Sequence, residues 1–315
     1  MRRRGRTRRG SRAAPQEHIG RLRRDDPMSE DGTTAVWAYW EDGKRRQSRS
    51  VYLDLCLETI ARHAGALELR VLSRHDALGW LPDLDVERWE ALPSPNYRSD
   101  YVRSRLMQRY GGVWIDVDTV AMAPLSRLLD EIDDSGVVCF GREFGRFFGG
   151  LCAAAPGTAF ADAWAEGQDR ILDRYRDWSE LPYAALAQDV TWEVARRLPW
   201  KSLPVGSVAP VPWYQWRKFF SRTESPRRVL AGDPITVVLW NAVMAPRLRP
   251  WTRQELLSSH MLLSRLLRIG LGMSTIEDEQ DAWTRLAWTS QVRFSLPGQR
   301  VETGVRWLTR RRGPA

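Results

Sequence analysis

Cysteine is scarce in this chain: three in 315 residues, at Cys56, Cys139 and Cys152. That excludes a disulfide-built scaffold. The lack of any C-x-x-C, or of a histidine beside a cysteine, excludes a zinc site of the usual spacing. Thiols in apolar contexts fit buried residues in a reducing compartment. Histidine is nearly as rare, at four, and His63 and His75 have no other ligand type beside them, so both read as surface residues. Long apolar runs are missing as well. The longest, residues 234–246, contains Asn241 and falls short of the ~20 residues a bilayer span needs. The opening Met-Arg-Arg-Arg-Gly-Arg has no apolar core of the kind a secretory signal carries. No internal repeat is present. These absences predict a cytoplasmic protein.

Net charge is missing from the middle of the chain. The overall balance is +9, but residues 1–30 hold ten arginines against four acids and residues 301–315 hold four against one. Between them, 34 basic and 34 acidic residues cancel. A neutral fold excludes a broad, specific nucleic-acid face. The basic tails read as solubilising segments, or as a tether to nucleic acid or to the anionic inner membrane surface. The expected organisation is a disordered basic leader (1–30), one α/β domain (31–270), and a C-terminal extension with a basic tail (271–315).

Hydrophobic residues make up 43% of the chain, enough for a sizeable core, and their spacing alternates between strand and helix periods. Residues 33–40 and 67–72 read as strands around a helix over 50–63. Residues 80–95, rich in Pro and Asp, read as a loop. Beyond the central motif, strands are expected at 137–140, 151–155, 207–212 and 235–241, with helices at 126–132, 158–178 and 183–198. Phe147-Phe148-Gly149-Gly150 looks like a place of close backbone approach.

The most informative stretch is Arg98 to Asp118. Ser99 is a suitable N-cap, with Asp100 in the first turn. Asp100, Arg103, Leu106, Met107 and Tyr110 share one helical face, and Arg105 and Arg109 fall on the opposite, solvated one. Gly111-Gly112 stops the helix. Val113-Trp114-Ile115 reads as a covered strand that delivers Asp116 and Asp118 to its C-terminal end, where ligands bind in open α/β sheets. Two carboxylates at i and i+2 suit a hard cation such as Mn²⁺ or Mg²⁺ bridging to a diphosphate. Asp83-Leu84-Asp85 is also D-x-D, but no Gly-Gly or strand precedes it, so it reads as a solvated loop.

The full pattern S-D-x-x-R, G-G-x-x-x-D-x-D and Pro124-Leu125 resembles the DXD-containing, sugar-nucleotide-dependent glycosyltransferases. Bacterial capsular polysaccharide synthesis proteins are the nearest in kind. Yeast initiating mannosyltransferases and the glucosyltransferase domains of clostridial toxins are more distant. The resemblance implies a GT-A-like fold: a Rossmann-type, mostly parallel sheet with flanking helices and a helical C-terminal portion. It implies a nucleotide-sugar donor, a saccharide or lipid-linked saccharide acceptor, and transfer with retention at the anomeric carbon. Asp118 would bind the metal, and Asp116 would hold the ribose or donor sugar and support the metal. Asp100 and Arg103 would reach the donor, and Trp37 or Trp40, at the end of the first strand, would stack on its base. This chain departs from the family twice. Gly149-Gly150 stands where the family often has an asparagine, and Val238 stands where it often has a metal-binding histidine before Leu-Trp-Asn. Asn241 or His260, with water, would then complete the metal shell. Two other readings fit paired aspartates: a metal-dependent phosphoryl transferase or phosphohydrolase, and an inactive transferase-like binding protein with basic tails.

Overall fold

A computed structural model describes residues 34–41 and 49–280. The basic leader and most of the C-terminal extension lie outside the described residues.

The chain begins with β1 (Ala35–Tyr39), α1 (Val51–Ala64) and β2 (Glu68–Leu72). Two short helices follow, α2 (Arg74–Trp80) and α3 (Val86–Glu90), and then the long α4 (Pro95–Tyr110). Next come β3 (Gly112–Ile115), β4 (Thr119–Ala121), α5 (Ser126–Asp130), β5 (Val137–Phe140) and β6 (Leu151–Ala154). They lead into α6 (Ala159–Arg174), a π-turn at Ala185–Asp189, and α7 (Val190–Ala195). The last part holds β7 (Lys201–Leu203), a 3₁₀ helix (Trp213–Phe220), α8 (Pro226–Val229), β8 (Thr236–Val238), α9 (Asn241–Leu248), α10 (Arg253–Ser258) and α11 (Leu262–Gly270).

Among the described residues the main sheet has six strands in the order β2-β1-β3-β6-β5-β7. Only β6 runs against the others: β1 pairs parallel with β2 and β3, β5 pairs parallel with β7, and β6 pairs antiparallel with β3 and β5. The expected mostly parallel α/β sheet is therefore present. Its central strands carry apolar side chains on both faces, as a sheet covered by helices requires; all of β1, β3, β5 and β6 is buried. Beside it, β4 and β8 form a second, two-stranded antiparallel sheet.

Several expectations need correction. The helix carrying the motif begins at Pro95 with Ser94 as N-cap, not at Ser99, because a proline fits the first helical position, where no N–H is needed. Asp100 thus sits in the second turn. The stretch 80–95 is not all loop: α2 ends on Trp80 and Asp85 caps α3 through the Arg88 N–H. No strand forms over 207–212, and the paired segment lies earlier, in β7. Arg105 is not on a solvated face. Its guanidinium donates to the Tyr101 carbonyl, Gln168 and Asp169, so it ties α4 to α6. Arg109 is exposed and pairs with Asp83 of the other D-x-D, which behaves as the solvated loop expected of it.

Candidate active site

Two glycines bring the motif to the sheet. The Gly111 N–H closes α4 on the Met107 carbonyl, and Gly111 (φ 62°) and Gly112 (φ 91°) both adopt left-handed backbone. At Gly112 the requirement is doubled: a β-carbon there would stand 2.4 Å from the Ala35 carbonyl oxygen. Glycine therefore lets β3 lie against β1 and still leave the helix directly.

Asp116 continues the sheet by one bond, its N–H donating to the Gly150 carbonyl at 2.8 Å. At Val117 the chain turns out of the main sheet, and β4 starts the small one. Asp118 is therefore the point where the two sheets part. Its carbonyl accepts the Leu239 N–H at 2.9 Å, one residue past β8.

The two aspartates have different surroundings. The Asp116 carboxylate accepts from Arg103 at 3.0 Å and from the Trp114 indole at 2.9 Å, and its side chain is 39% exposed. Asp118 is buried, at 8% exposure, and its carboxylate accepts the backbone N–H of Asn241, the first residue of α9. No Lys, Arg or His forms an ion pair with it among the described residues. Burial, then the charge of Asp116, pushes its pKa up to about 6, against the pull of the Asn241 N–H and Arg103.

Arg103 and Asp100 stand behind Asp116. Arg103 is 5% exposed and bridges Asp100 at 3.2 Å and Asp116 at 3.0 Å, with its guanidinium over the Trp114 ring. Burial pushes Asp100 up to about 7, opposed by Arg103 and reinforced by Asp116. Arg103 thus orients Asp116. Gly149 and Gly150 make room for this arrangement. A β-carbon on Gly150 would lie 2.5 Å from an Asp116 carboxylate oxygen, and one on Gly149 would lie 3.0 Å from an Arg103 nitrogen. The close approach expected of the backbone at Phe147–Gly150 is instead one of side chains to the two glycines. Gly150 has no left-handed φ, so Gly150→Ala should leave the backbone unstrained and push Asp116 aside. A misplacement near 1 Å costs on the order of 10²-fold in rate. Turnover of that variant, with an unchanged melting temperature, checks the contact.

The remaining sequence candidates divide. Trp37 is a core residue: it is 2% exposed, donates to the Gly111 carbonyl, and packs edge-on against Trp80 and beside Tyr110. No ring face is left for a base. Trp40 lies partly buried just past β1, and its indole N–H is buried with no hydrogen-bond partner among the described residues. Asn241 does reach the site, because Trp240 takes a left-handed conformation (φ 62°) and bends the chain after β8. It arrives backbone first, and its carboxamide oxygen accepts the Tyr52 hydroxyl. The strand stops at Val238, so the expected alternation through Asn241 does not hold. His260 is exposed between α10 and α11. Among the described residues no third His, Cys, Asp or Glu joins the aspartate pair.

Tyr183 was not singled out by the sequence. The segment carrying it is pinned to α4, where the Tyr97 hydroxyl donates to the Leu181 carbonyl and Gln168 donates to both the Asp100 and Leu186 carbonyls. Tyr183 exposes 73% of its surface. Partial desolvation of its phenol and the negative fields of Asp100, Asp116 and Asp118 raise its pKa. It therefore lies within the field of the three aspartates. No local pattern marks it, since its place depends on contacts between distant elements.

Strand order and the single reversed strand define a mostly parallel α/β protein with an aspartate pair beyond β3, the architecture that the glycosyltransferase resemblance implies. Its sequence resembles the capsular polysaccharide synthesis proteins: the family described as "Capsular polysaccharide synthesis protein" matches residues 13–146, less than half of the chain but including α4, Asp116 and Asp118. Among solved structures, the chain is similar to PaToxG Glycosyltransferase (13% identity, 76% of this chain and 86% of that one, TM-score 0.36). It is also similar to the glycosyltransferase GlyE of Streptococcus pneumoniae TIGR4 (11% identity, 81% and 64%, TM-score 0.44) and to an active-site mutant of LgtC (12% identity, 75% and 94%, TM-score 0.41). Likeness at this level bears on neither reaction nor substrate. No curated protein matches the sequence. Among the described residues, no helix is long and apolar enough to cross a membrane.

Proposed function

We propose that this chain is a glycosyltransferase that moves a sugar from a nucleoside-diphosphate donor to a hydroxyl of a saccharide or lipid-linked saccharide, in capsular or exopolysaccharide synthesis. The observation that carries this reading is Asp118, a buried carboxylate with no ion-pair partner among the described residues, beside the half-exposed Asp116 where the two sheets part. Ionised groups in such places need a cation. An all-oxygen pair suits Mn²⁺ or Mg²⁺, which are held by one or two carboxylates plus phosphates and water. Such an ion, when bound, would neutralise the leaving diphosphate.

The protein's own groups then have separate tasks. Asp118 holds the inner ligand position, kept in place by the Asn241 N–H. Asp116, oriented by Arg103 and Trp114, faces the donor. Asp100 acts on the donor through Arg103. Trp40, just past β1, would stack on the base. The Asn241 carboxamide is engaged by Tyr52, so water fills the position that a family histidine would take. Retention at the anomeric carbon follows the resemblance. The arginine-rich ends would hold the protein against the inner membrane surface.

The paired aspartates also fit a phosphohydrolase, and product analysis separates the two. Incubation with a panel of nucleotide sugars and Mn²⁺ should release nucleoside diphosphate, with the sugar appearing on an acceptor or, slowly, on water. Nucleoside monophosphate with sugar phosphate would instead establish the phosphohydrolase.

A further inference from the structure

A surface far along the chain from the motif breaks the charge balance of the fold. Residues 213–228 carry five basic residues against one acid, although residues 31–300 as a whole are neutral. The segment opens with the 3₁₀ helix Trp213–Phe220. In a 3₁₀ helix residues three apart share an edge, so Trp213, Trp216 and Phe219 form one edge and Tyr214, Arg217 and Phe220 the next. Phe219 is fully buried and anchors the helix, whereas Trp213 and Tyr214 expose 62% and 59% of their surfaces at its start. Their rings pack at right angles, which holds both outward.

Few of the basic residues here have acidic partners among the described residues. Lys218 reaches Glu224 at 3.9 Å and Arg227 reaches Glu277 at 3.6 Å. Among the described residues Arg217, Arg222 and Arg247 form no ion pair. Arg217 and Arg247, from α9, both lie over the Trp216 ring, at 4.7 and 4.1 Å. These contacts fix two unpaired guanidinium groups beside the exposed aromatic pair. The patch is also joined to the aspartate site, since the Trp240 indole donates to the Val211 carbonyl and Trp240 immediately precedes Asn241.

We propose that this face, formed by Trp213, Tyr214, Arg217 and Arg247, docks on an anionic lipid bilayer. Trp and Tyr rings favour the headgroup level because one end is apolar and the other hydrogen-bonds, and arginines without partners are drawn to anionic headgroups. An interior protein contact would leave these charges unmatched. A neutral saccharide would use the rings but not the arginines. The surface is separate from the basic ends of the chain, so its docking sets the orientation of the domain, with the neighbouring aspartate site near the membrane. It does not depend on the transfer reaction.

The test uses the full chain. All three native cysteines are buried and their thiols are pushed up in pKa by burial, so a Tyr214→Cys variant takes a polarity-sensitive fluorophore at that position alone. With vesicles of phosphatidylcholine containing phosphatidylglycerol, the probe should shift to the blue and brighten several-fold. With pure phosphatidylcholine it should not. Arg217→Glu combined with Arg247→Glu should weaken vesicle binding several-fold at an unchanged melting temperature. If the protein sediments with the anionic vesicles while the probe keeps its spectrum in water, the ends alone hold it and the proposal fails. It fails equally if the protein does not sediment.

Discussion

Asp118→Asn is expected to abolish sugar transfer and to raise the melting temperature of the metal-free protein at pH 7.5. Both effects come from one fact. The wild-type carboxylate is buried, has no ion-pair partner among the described residues, and has a pKa near 6. That is above its value of about 3.9 in the unfolded chain, so the folded state binds the proton more tightly. The stability this proton gives is full below about pH 4 and is lost as pH rises through 6. Asp100, near 7, acts with the same sign. Metal-free wild type should therefore lose stability between pH 5 and 7.5. Asparagine keeps an oxygen for the Asn241 N–H and has no charge to bury, so the variant should escape Asp118's part of that loss, on the order of 2–3 kcal/mol. The same change removes the inner metal ligand. Several kcal/mol of charge stabilisation depend on such a ligand, so turnover should fall by at least ~10²-fold. Melting curves across pH, with and without Mn²⁺, together with initial rates, check the two halves separately.

Arg103→Ala is expected to be the most destabilising single change in the site. Arg103 is the only basic group ion-paired with Asp100 or Asp116 among the described residues. Breaking a buried pair from one side costs about 3–5 kcal/mol. The lower end applies here, because Asp116 is partly solvated and Asp100 already titrates near 7 and can take up a proton. Without Arg103, which lowers it, the Asp100 pKa rises further. The destabilisation should accordingly grow from pH 6 to pH 8. Adding Asp100→Asn to the alanine variant should recover part of the stability but none of the turnover, since Asp116 still lacks its anchor. Chemical denaturation of the two single variants and the double gives the coupling directly. Equal losses at both pH values would remove Asp100 from the explanation.

The parts of this site that were legible in the sequence are those that local rules decide. A glycine pair can close a helix and start a strand with no help from the rest of the chain, and so Gly111-Gly112 located β3, Asp116 and Asp118. The start of α4 was just as local. Ser94-Pro95 carries the N1-proline signal, but Ser99 with Asp100 offered a competing cap, and the earlier one prevails. Arg105 was misread because helical spacing fixes a face without saying what covers it; α6 brings Gln168 and Asp169 over that face. The small β4–β8 sheet was harder still. Each strand has three residues, too few for a period to show, and they meet only through the fold. The bend that carries Asn241 to Asp118 rests on a left-handed tryptophan, Trp240, a conformation sequence patterns do not assign to that residue. Trp37 and Trp40 are three residues apart on one strand end, and nothing local says that one is sealed by Trp80 and Tyr110 while the other's N–H has no hydrogen-bond partner among the described residues.

The central claim is that Asp118 and Asp116 hold a divalent cation against a nucleoside diphosphate. Titration of Mn²⁺ followed by electron paramagnetic resonance tests it most directly, using wild type and Asp118→Asn, each with and without a nucleoside diphosphate. The account predicts one Mn²⁺ per wild-type chain, bound more tightly when the diphosphate is present and more weakly as pH falls below about 6, with no binding to the folded Asp118→Asn variant. Equal Mn²⁺ binding by the two proteins, or diphosphate binding to wild type unaffected by removal of the metal, would contradict it.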